Sequence, residues 1–360
     1  MNKEREPGTA HKFRLSGTAV SIFVLIISGI AAVFYGCSKV PAALGAEQSA
    51  AELSAEGSSG IPGDTADQSD KGNTAVPFVI YPHRSESTTE FSDDLDAEAA
   101  VLFNASTGEI VAAKNEEAPI FPASLTKVMT LIVTVENAES LSDTVEITQD
   151  MIDPMVEADA SRCGFEPGDT PTVEDLLYGM ILASGADATL AAADYTAGSE
   201  TAMAAMMNKK AKEIGLHDTY FTNVTGLHSD QHHSTVSDMG TILAYAIQND
   251  LCRKILSTEY YELDANEMCP DGIELHSTLK SRMYGDEMPG ILVLGGKTGY
   301  TDKAKCCVES FAEADGETYI LVIAGATTNW NAVYDTLSSY SIYCIGGESY
   351  EPSRYKKREK

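Results

Sequence analysis

Ser124 and Lys127 stand three positions apart in "PIFPASLTKVMTLIVTVENA", residues 119–138, where a proline, a small residue and a serine open an apolar helix. Residues three apart share a helical face, about one turn from each other. The neighbours of Lys127 are Val128, Met129, Leu131, Ile132 and Val133, so the face that carries the amine reads as buried. A serine hydroxyl is a poor nucleophile until a base removes its proton. A free lysine has a pKa of about 10.4 and is protonated at neutral pH. Burial in apolar surroundings, or a second cation nearby, lowers that value towards the ~7–8 that suits a general base. The pair predicts a serine nucleophile served by a neutral lysine.

Two further short motifs follow in order. Ser184-Gly185-Ala186 interrupts a helical pattern, and Lys297-Thr298-Gly299 lies on a strand bordered by glycines. Each motif alone arises often by chance; the three together, in these contexts, are informative. His228, His232 and His233 have a spacing at which imidazoles can chelate a metal. Glu166, in "GFEPGD", offers a carboxylate that could serve as a hydrolytic base.

The elements that must position these residues show in the patterning. "AEAAVLFNASTGEIVAAKN" reads as two strands joined by a turn at Ser106-Thr107-Gly108. The helix opened by Ser124 follows, then helical patterning in "VEDLLYGMILASGADATLAAADYTAG". "TAMAAMMNKKAKEIGL" is an amphipathic helix stopped by Gly215. Near the end, "GILVLGGKTGYT", "AKCCVESFAEADG" and "ETYILVIAGAT" read as three consecutive antiparallel strands, and "NWNAVYDTLSSYSIYCIG" as a closing helix. The expected fold class is α+β. One antiparallel sheet is built from both chain ends and flanked by helices, with a separate all-helical lobe.

The whole stretch resembles the serine-type D-alanyl-D-alanine carboxypeptidases, the low-molecular-mass penicillin-binding proteins of peptidase family S11. Beyond the three motifs, "PGDTPTVEDLLYGMILASGADA", "MNKKAKEIGLHDTYFTNVTGLH", "HSTVSDM" and "GGKTGYTDKA" match the family pattern in order, over roughly residues 93–347. The resemblance implies a β-lactamase/DD-peptidase-like fold and a set of roles. Ser124 is the nucleophile and Lys127 its base, with Lys297 close by as the second cation. Ser184 passes a proton towards the leaving amine. Lys297 and Thr298 bind the peptide's terminal carboxylate, Gly299 lets substrate backbone approach the strand, and the N–H groups of Ser124 and Tyr300 form the oxyanion hole. The implied substrate is a peptidoglycan stem peptide ending in D-Ala-D-Ala, with β-lactam antibiotics as covalent ligands and no metal or organic cofactor. The three histidines fall in the family's non-metal "H-S-T" region and Glu166 in a loop before the helical lobe, so both read as structural.

One position departs from the family pattern. The second motif is usually Ser-x-Asn, and here Ala186 holds the third place, where it can neither donate nor accept the hydrogen bonds of an amide. A water, or Asn223 from the adjoining segment, could fill the gap. The departure keeps a weakly active or non-catalytic peptidoglycan-binding homologue as an alternative. A β-lactamase also shares two motifs, but no "E-x-x-L-N" segment lies between Ser184 and Lys297 to speed deacylation.

Composition bounds the partners. The chain of 360 residues is 43% hydrophobic and carries 54 acidic against 25 basic residues, a net charge of −29. Such a surface repels phosphate backbones, so no nucleic acid partner is expected. Residues 1–14 hold Lys3, Arg5, Lys12 and Arg14 ahead of an uncharged apolar stretch, 15–37. That pattern predicts a cytoplasmic N-terminus and a membrane anchor, with the remainder outside the cytoplasm. A cleaved signal ending near "ALGA" and a lipoprotein signal ending at Cys37 are the competing readings. Residues 38–92 are rich in Ala, Gly, Ser and acidic side chains and read as a flexible stalk; 93–347 form the catalytic domain and 348–360 a polar tail. After the closing helix neither an added β-rich domain nor an amphipathic membrane helix is expected. Of seven cysteines none forms a C-x-x-C pair, and Cys306 and Cys307, adjacent on a strand, should face opposite ways.

Overall fold

The computed structural model describes residues 78–264, 272–285 and 288–350. Three strands come first, β1 (Thr89–Glu90), β2 (Ala99–Asn104) and β3 (Ile110–Lys114). A 3-10 turn at Ala123–Leu125 leads into α1 (Thr126–Asn137), followed by α2 (Gln149–Glu157), α3 (Val173–Ile181), α4 (Ala186–Ala197), α5 (Glu200–Glu213), α6 (Val236–Ala246) and α7 (Asp250–Ser257). The strand pair β4 (Tyr260–Leu263) and β5 (Ile273–His276) and the short α8 (Thr278–Met283) come next. Strands β6 (Ile291–Thr301), β7 (Lys305–Ala314) and β8 (Glu317–Ala326) and helix α9 (Asn329–Ile345) complete the order.

Six strands form one sheet in the order β1-β3-β2-β8-β7-β6, so strands from the two chain ends meet where β2 pairs with β8. Alternation along these strands sends successive side chains to opposite faces. Val101, Phe103, Val322 and Phe311 enter the core beneath α1 and α6, whereas Leu102, Leu321 and Ile323 pack against α8 and α9. Cys306 and Cys307 divide between the two cores in the same way. The expected sheet was antiparallel throughout; its edge strand β1 instead runs parallel to β3, giving a mixed sheet.

Helix α1 is buried on all sides from Thr126 to Thr134. A helix without a wet face belongs to the middle of a domain, and α1 packs against α3, α4, α5 and α6. Its inward hydroxyls need partners in that setting, and the Thr130 hydroxyl donates to the Val224 carbonyl at 2.8 Å. Helix α3 starts with a reciprocal cap between Thr172 and Asp175, and α4 ends at Gly198 in the left-handed region.

The stalk expected up to residue 92 ends earlier than its composition suggested. Val79 and Ile80 pack on the main core, and the Tyr81 hydroxyl donates to the Ile214 carbonyl. Arg84 joins Glu90 to Glu116, and Phe91 is buried against Tyr343 with ring centroids 5.0 Å apart. A two-residue strand has no period to read, and only the waiting edge of β3 orders it. At the other end Gly347–Tyr350 fold back on α9 through Ser341 and Ser338. The expected anchor at 15–37 lies outside the described residues; among those described, no helix is long and apolar enough to cross a membrane.

A chain beginning at residue 78 should therefore be more stable than one beginning at 93. Burying a side chain such as that of Phe91 contributes about 1.5–3 kcal/mol, so the shorter chain should melt about 5 °C lower or more. Equal melting temperatures by differential scanning calorimetry would show that residues 78–92 add nothing to the fold.

Candidate active site

The three motifs arrive from three different parts of the fold. Ser124 sits in the 3-10 turn just before α1, Ser184 in the break between α3 and α4, and Lys297 to Gly299 on β6. Ser124, Lys127, Ser184, Thr298, Gly299 and Tyr300 all line one open cavity of about 920 Å³. Lys297 lies just beneath its wall and is 1% exposed.

The contacts among these side chains form two matching pairs. Lys127 Nζ donates to Ser124 Oγ at 2.9 Å and to the Thr225 carbonyl at 2.9 Å. Lys297 Nζ donates to Ser184 Oγ at 2.8 Å and to the Thr298 carbonyl at 2.8 Å. Each buried amine thus holds one hydroxyl of the cavity and one backbone oxygen. Thr298 Oγ1 meets Thr278 Oγ1 at 2.7 Å, and Tyr300 is mostly exposed, its hydroxyl on Asp302.

Burial sets the electrostatics. It lowers the Lys127 pKa to about 7, with Asp187 pulling modestly the other way. It also drives Lys297 well below the lysine range, and repulsion by Lys127 adds to that effect. The Asp187 carboxylate is fully buried at the start of α4 and accepts N–H groups from Cys163, Gly164, Phe165 and Ala188. It pins the 163–165 segment beside the cavity.

Backbone strain concentrates at the same place. Ala123 and Ser184 have φ of 49° and 59°, the left-handed region that L-residues rarely occupy. The turn carrying Ser124 is wedged between two glycines. A β-carbon at Gly226 would overlap the Ala123 carbonyl, and one at Gly299 would lie 3.0 Å from Ser124 N. Gly299 was expected to admit substrate backbone; its first effect is to let β6 close on the protein's own nucleophile turn.

Ala186 is buried, and its N–H donates to the Ser161 carbonyl. Asn223 does not take the missing amide's place. Its Oδ1 accepts from Gly226 N and its Nδ2 donates to the Leu227 carbonyl, so it shapes the loop that aims the Thr225 carbonyl at Lys127. The histidines make separate contacts, although His228 also lines the cavity. His232 bonds Thr126 Oγ1 and is held at a pKa of about 4 by burial, His228 packs edge-on to Phe121, and His233 contacts the Gln231 carbonyl. Among the described residues no group of three or more His, Cys, Asp or Glu side chains is set to hold a metal ion. Glu166 is not part of the cavity lining. Sequence reasoning missed Arg282, which lines the cavity from α8 and acts electrostatically on Lys297. Its position fifteen residues before Lys297 carries no local signal.

Residues 85–328 match the family Peptidase_S11, D-alanyl-D-alanine carboxypeptidase. The chain belongs to this family. The D-alanyl-D-alanine carboxypeptidase DacF of Bacillus subtilis is 33% identical over 259 residues, covering 71% of this chain and 63% of DacF. DacC of Escherichia coli is 31% identical over 265 residues, with the same two shares. The chain therefore spans less than two thirds of the length of these S11 relatives. Among solved structures, the Streptomyces K15 DD-transpeptidase superposes with a TM-score of 0.62 at 26% identity, over 69% of this chain and 96% of that one. The carboxypeptidase DacD from Francisella tularensis gives 0.60 at 26% identity, over 74% and 73% of the two chains. The sheet and helical lobe are thus those of the DD-peptidases.

The Lys127–Ser124 contact carries a pH signature. Raising the pH removes the Lys127 proton and creates the base, so acylation of Ser124 by a reactive probe should rise about tenfold per unit below pH 7 and level off above it. Lys127→Ala should abolish this limb and slow acylation by about 10²–10⁴-fold. A flat profile in the wild-type chain, or near-normal acylation of the variant, would refute the assignment of the base.

Proposed function

We propose that this chain is a serine D-Ala-D-Ala carboxypeptidase that removes the terminal D-alanine from peptidoglycan stem peptides through an acyl-enzyme on Ser124. The observation that carries the reading is the fully buried Lys127 amine, 2.9 Å from a partly exposed serine hydroxyl in the cavity. Family membership supports the choice of peptide.

In this reading Ser124 Oγ attacks the carbonyl of the penultimate D-alanine while neutral Lys127 takes its proton. The oxyanion lies against the N–H groups of Ser124 and Tyr300. Ser184, held by Lys297, passes a proton to the leaving amine of the last D-alanine. The free carboxylate of that residue meets Thr298 and the positive potential of Lys297 and Arg282, which accounts for a demand for a chain end. Water then hydrolyses the ester on Ser124. A β-lactam follows the same first step, and its ring-opened acyl group stays on the serine. Peptidoglycan lies outside the cytoplasm, consistent with an N-terminal segment that anchors the domain on the outer side of the cell membrane.

The alternative of a non-catalytic binder rests on Ala186. Against it, the Thr225 carbonyl already accepts a hydrogen from Lys127, and an unfilled hydrogen bond to a charged group is what costs rate. Losing such a bond typically costs about 1.5–3 kcal/mol, or roughly 10–150-fold. With Thr225 in place, Ala186→Asn should raise the second-order rate of acylation by a penicillin and by a D-Ala-D-Ala peptide by less than about tenfold. A slower variant would mean that the cavity is built around the alanine.

Ser124→Ala should abolish both covalent labelling by a fluorescent penicillin and release of D-alanine from a synthetic D-Ala-D-Ala peptide. Labelling that persists, or a wild-type chain that binds the peptide without cleaving it, would overturn the proposed activity.

A further inference from the structure

The hydrogen bonds around Lys127 and Lys297 are equivalent, one hydroxyl and one carbonyl each at 2.8–2.9 Å. They therefore cannot decide which amine holds a proton when only one is charged. Two ammonium groups in one buried cluster repel, and such a pair titrates as a unit. The proposed reaction needs one arrangement, with Lys127 neutral as the base and Lys297 charged for the anionic chain end.

An asymmetry lies one strand further in. Glu309 on β7 is the direct cross-strand partner of Lys297 on β6. Side chains directly opposite share a face, with β-carbons about 4.5–5.5 Å apart. Glu309 is fully buried, and neither of its carboxyl oxygens has a hydrogen-bond partner. Asp187, the carboxylate that acts on Lys127, is by contrast saturated with four N–H donors. Lys297 is the cation that acts on Glu309. Across the ladder on β8 stands Val322, and along β7 the Cys307 thiol. Arg253 of α7 rests over the Phe311 ring, and Arg282 of α8 acts on Lys297.

We propose that Glu309 is a positioning residue for Lys297, its carboxylate keeping the shared proton of the two buried lysines on Lys297 and so leaving Lys127 neutral beside Ser124. The arrangement is costly in isolation: burial pushes the Glu309 carboxyl well above the usual carboxylate range, and the charge on Lys297 is what pulls it back towards the ionised form. Its place in an apolar strand is accounted for by the site it faces. The inference rests on the proposed carboxypeptidase reading and extends it by one residue that never touches substrate.

The test compares the wild-type chain with Glu309→Gln, Glu309→Val and Glu309→Asp, using a D-Ala-D-Ala peptide and an ester acyl donor whose leaving group has no carboxylate. Valine suits a buried strand position and guards against a glutamine variant that fails to fold. In the Gln and Val variants the alkaline limb of kcat/KM should move down by about one pH unit or more, because Lys297 loses its proton more readily. KM for the peptide should rise about tenfold, KM for the ester should stay within about twofold, and Glu309→Asp should restore the wild-type limb. Melting temperature should be unchanged or higher in Glu309→Val. A limb and peptide KM that stay put in a folded variant overturn the proposal, as does an equal loss on both substrates without a limb shift. If the wild-type chain turns over the ester but not the peptide, the carboxypeptidase reading fails, and Glu309 is then judged on the acid limb with the ester, which should move to higher pH in the Gln and Val variants as the shared proton passes to Lys127; an unmoved limb overturns the proposal.

Discussion

The structure is organised around an amine that the fold covers almost completely. Lys127 follows the nucleophile turn on a helix with no exposed face over its first nine residues, so its stem cannot snorkel to the surface as most lysines do. Burial alone then lowers its proton affinity to the physiological range. The surroundings answer that placement. The Thr225 carbonyl supplies an acceptor, Asn223 shapes the loop that delivers it, and Asp187 ties the neighbouring segment to the start of α4.

Holding Ser124 above this amine requires unusual backbone. Ala123 and Ser184 occupy left-handed conformations, each costing on the order of 1–3 kcal/mol, and these persist only where neighbours over-determine them. The neighbours are identifiable. Gly226 brings a loop onto the nucleophile turn closer than any β-carbon would permit, and Gly299 brings a strand to where a β-carbon would be tightly crowded. The helical lobe contributes Ser184 from a break between α3 and α4, where Gly185 is packed against Cys163. Sheet, turn and lobe thus meet at one point, and displacing any of them would open the contacts of both lysines.

The second lysine extends the same logic into the sheet. Lys297 is on β6 at the sheet edge, yet its side chain is covered and its amine faces Ser184. Basic side chains meet on this side of the cavity, Lys297 beneath the wall and Arg282 in its lining, in a chain whose overall charge is strongly negative.

By itself the sequence determined the order of elements and the chemistry of the residues that carry it. Ser124, Lys127, Ser184 and Lys297 are recognisable because each is a polar group set against an apolar or helix-breaking pattern, which is local information. The same alternation placed Cys306 and Cys307 on opposite faces. Tertiary structure decided what depends on distant pairing. The segment 78–92 is ordered by the edge of β3 and by Tyr343, 251 residues along the chain from its partner Ser92. Thr225 enters through a backbone oxygen, which no residue type announces, and Arg282 through a short helix packed on β6. Glu309 left a trace, a charge at an inward position of an apolar strand, but its partner is set by the β6–β7 register. Period and composition record which face a side chain takes; only the folded register records what it faces there.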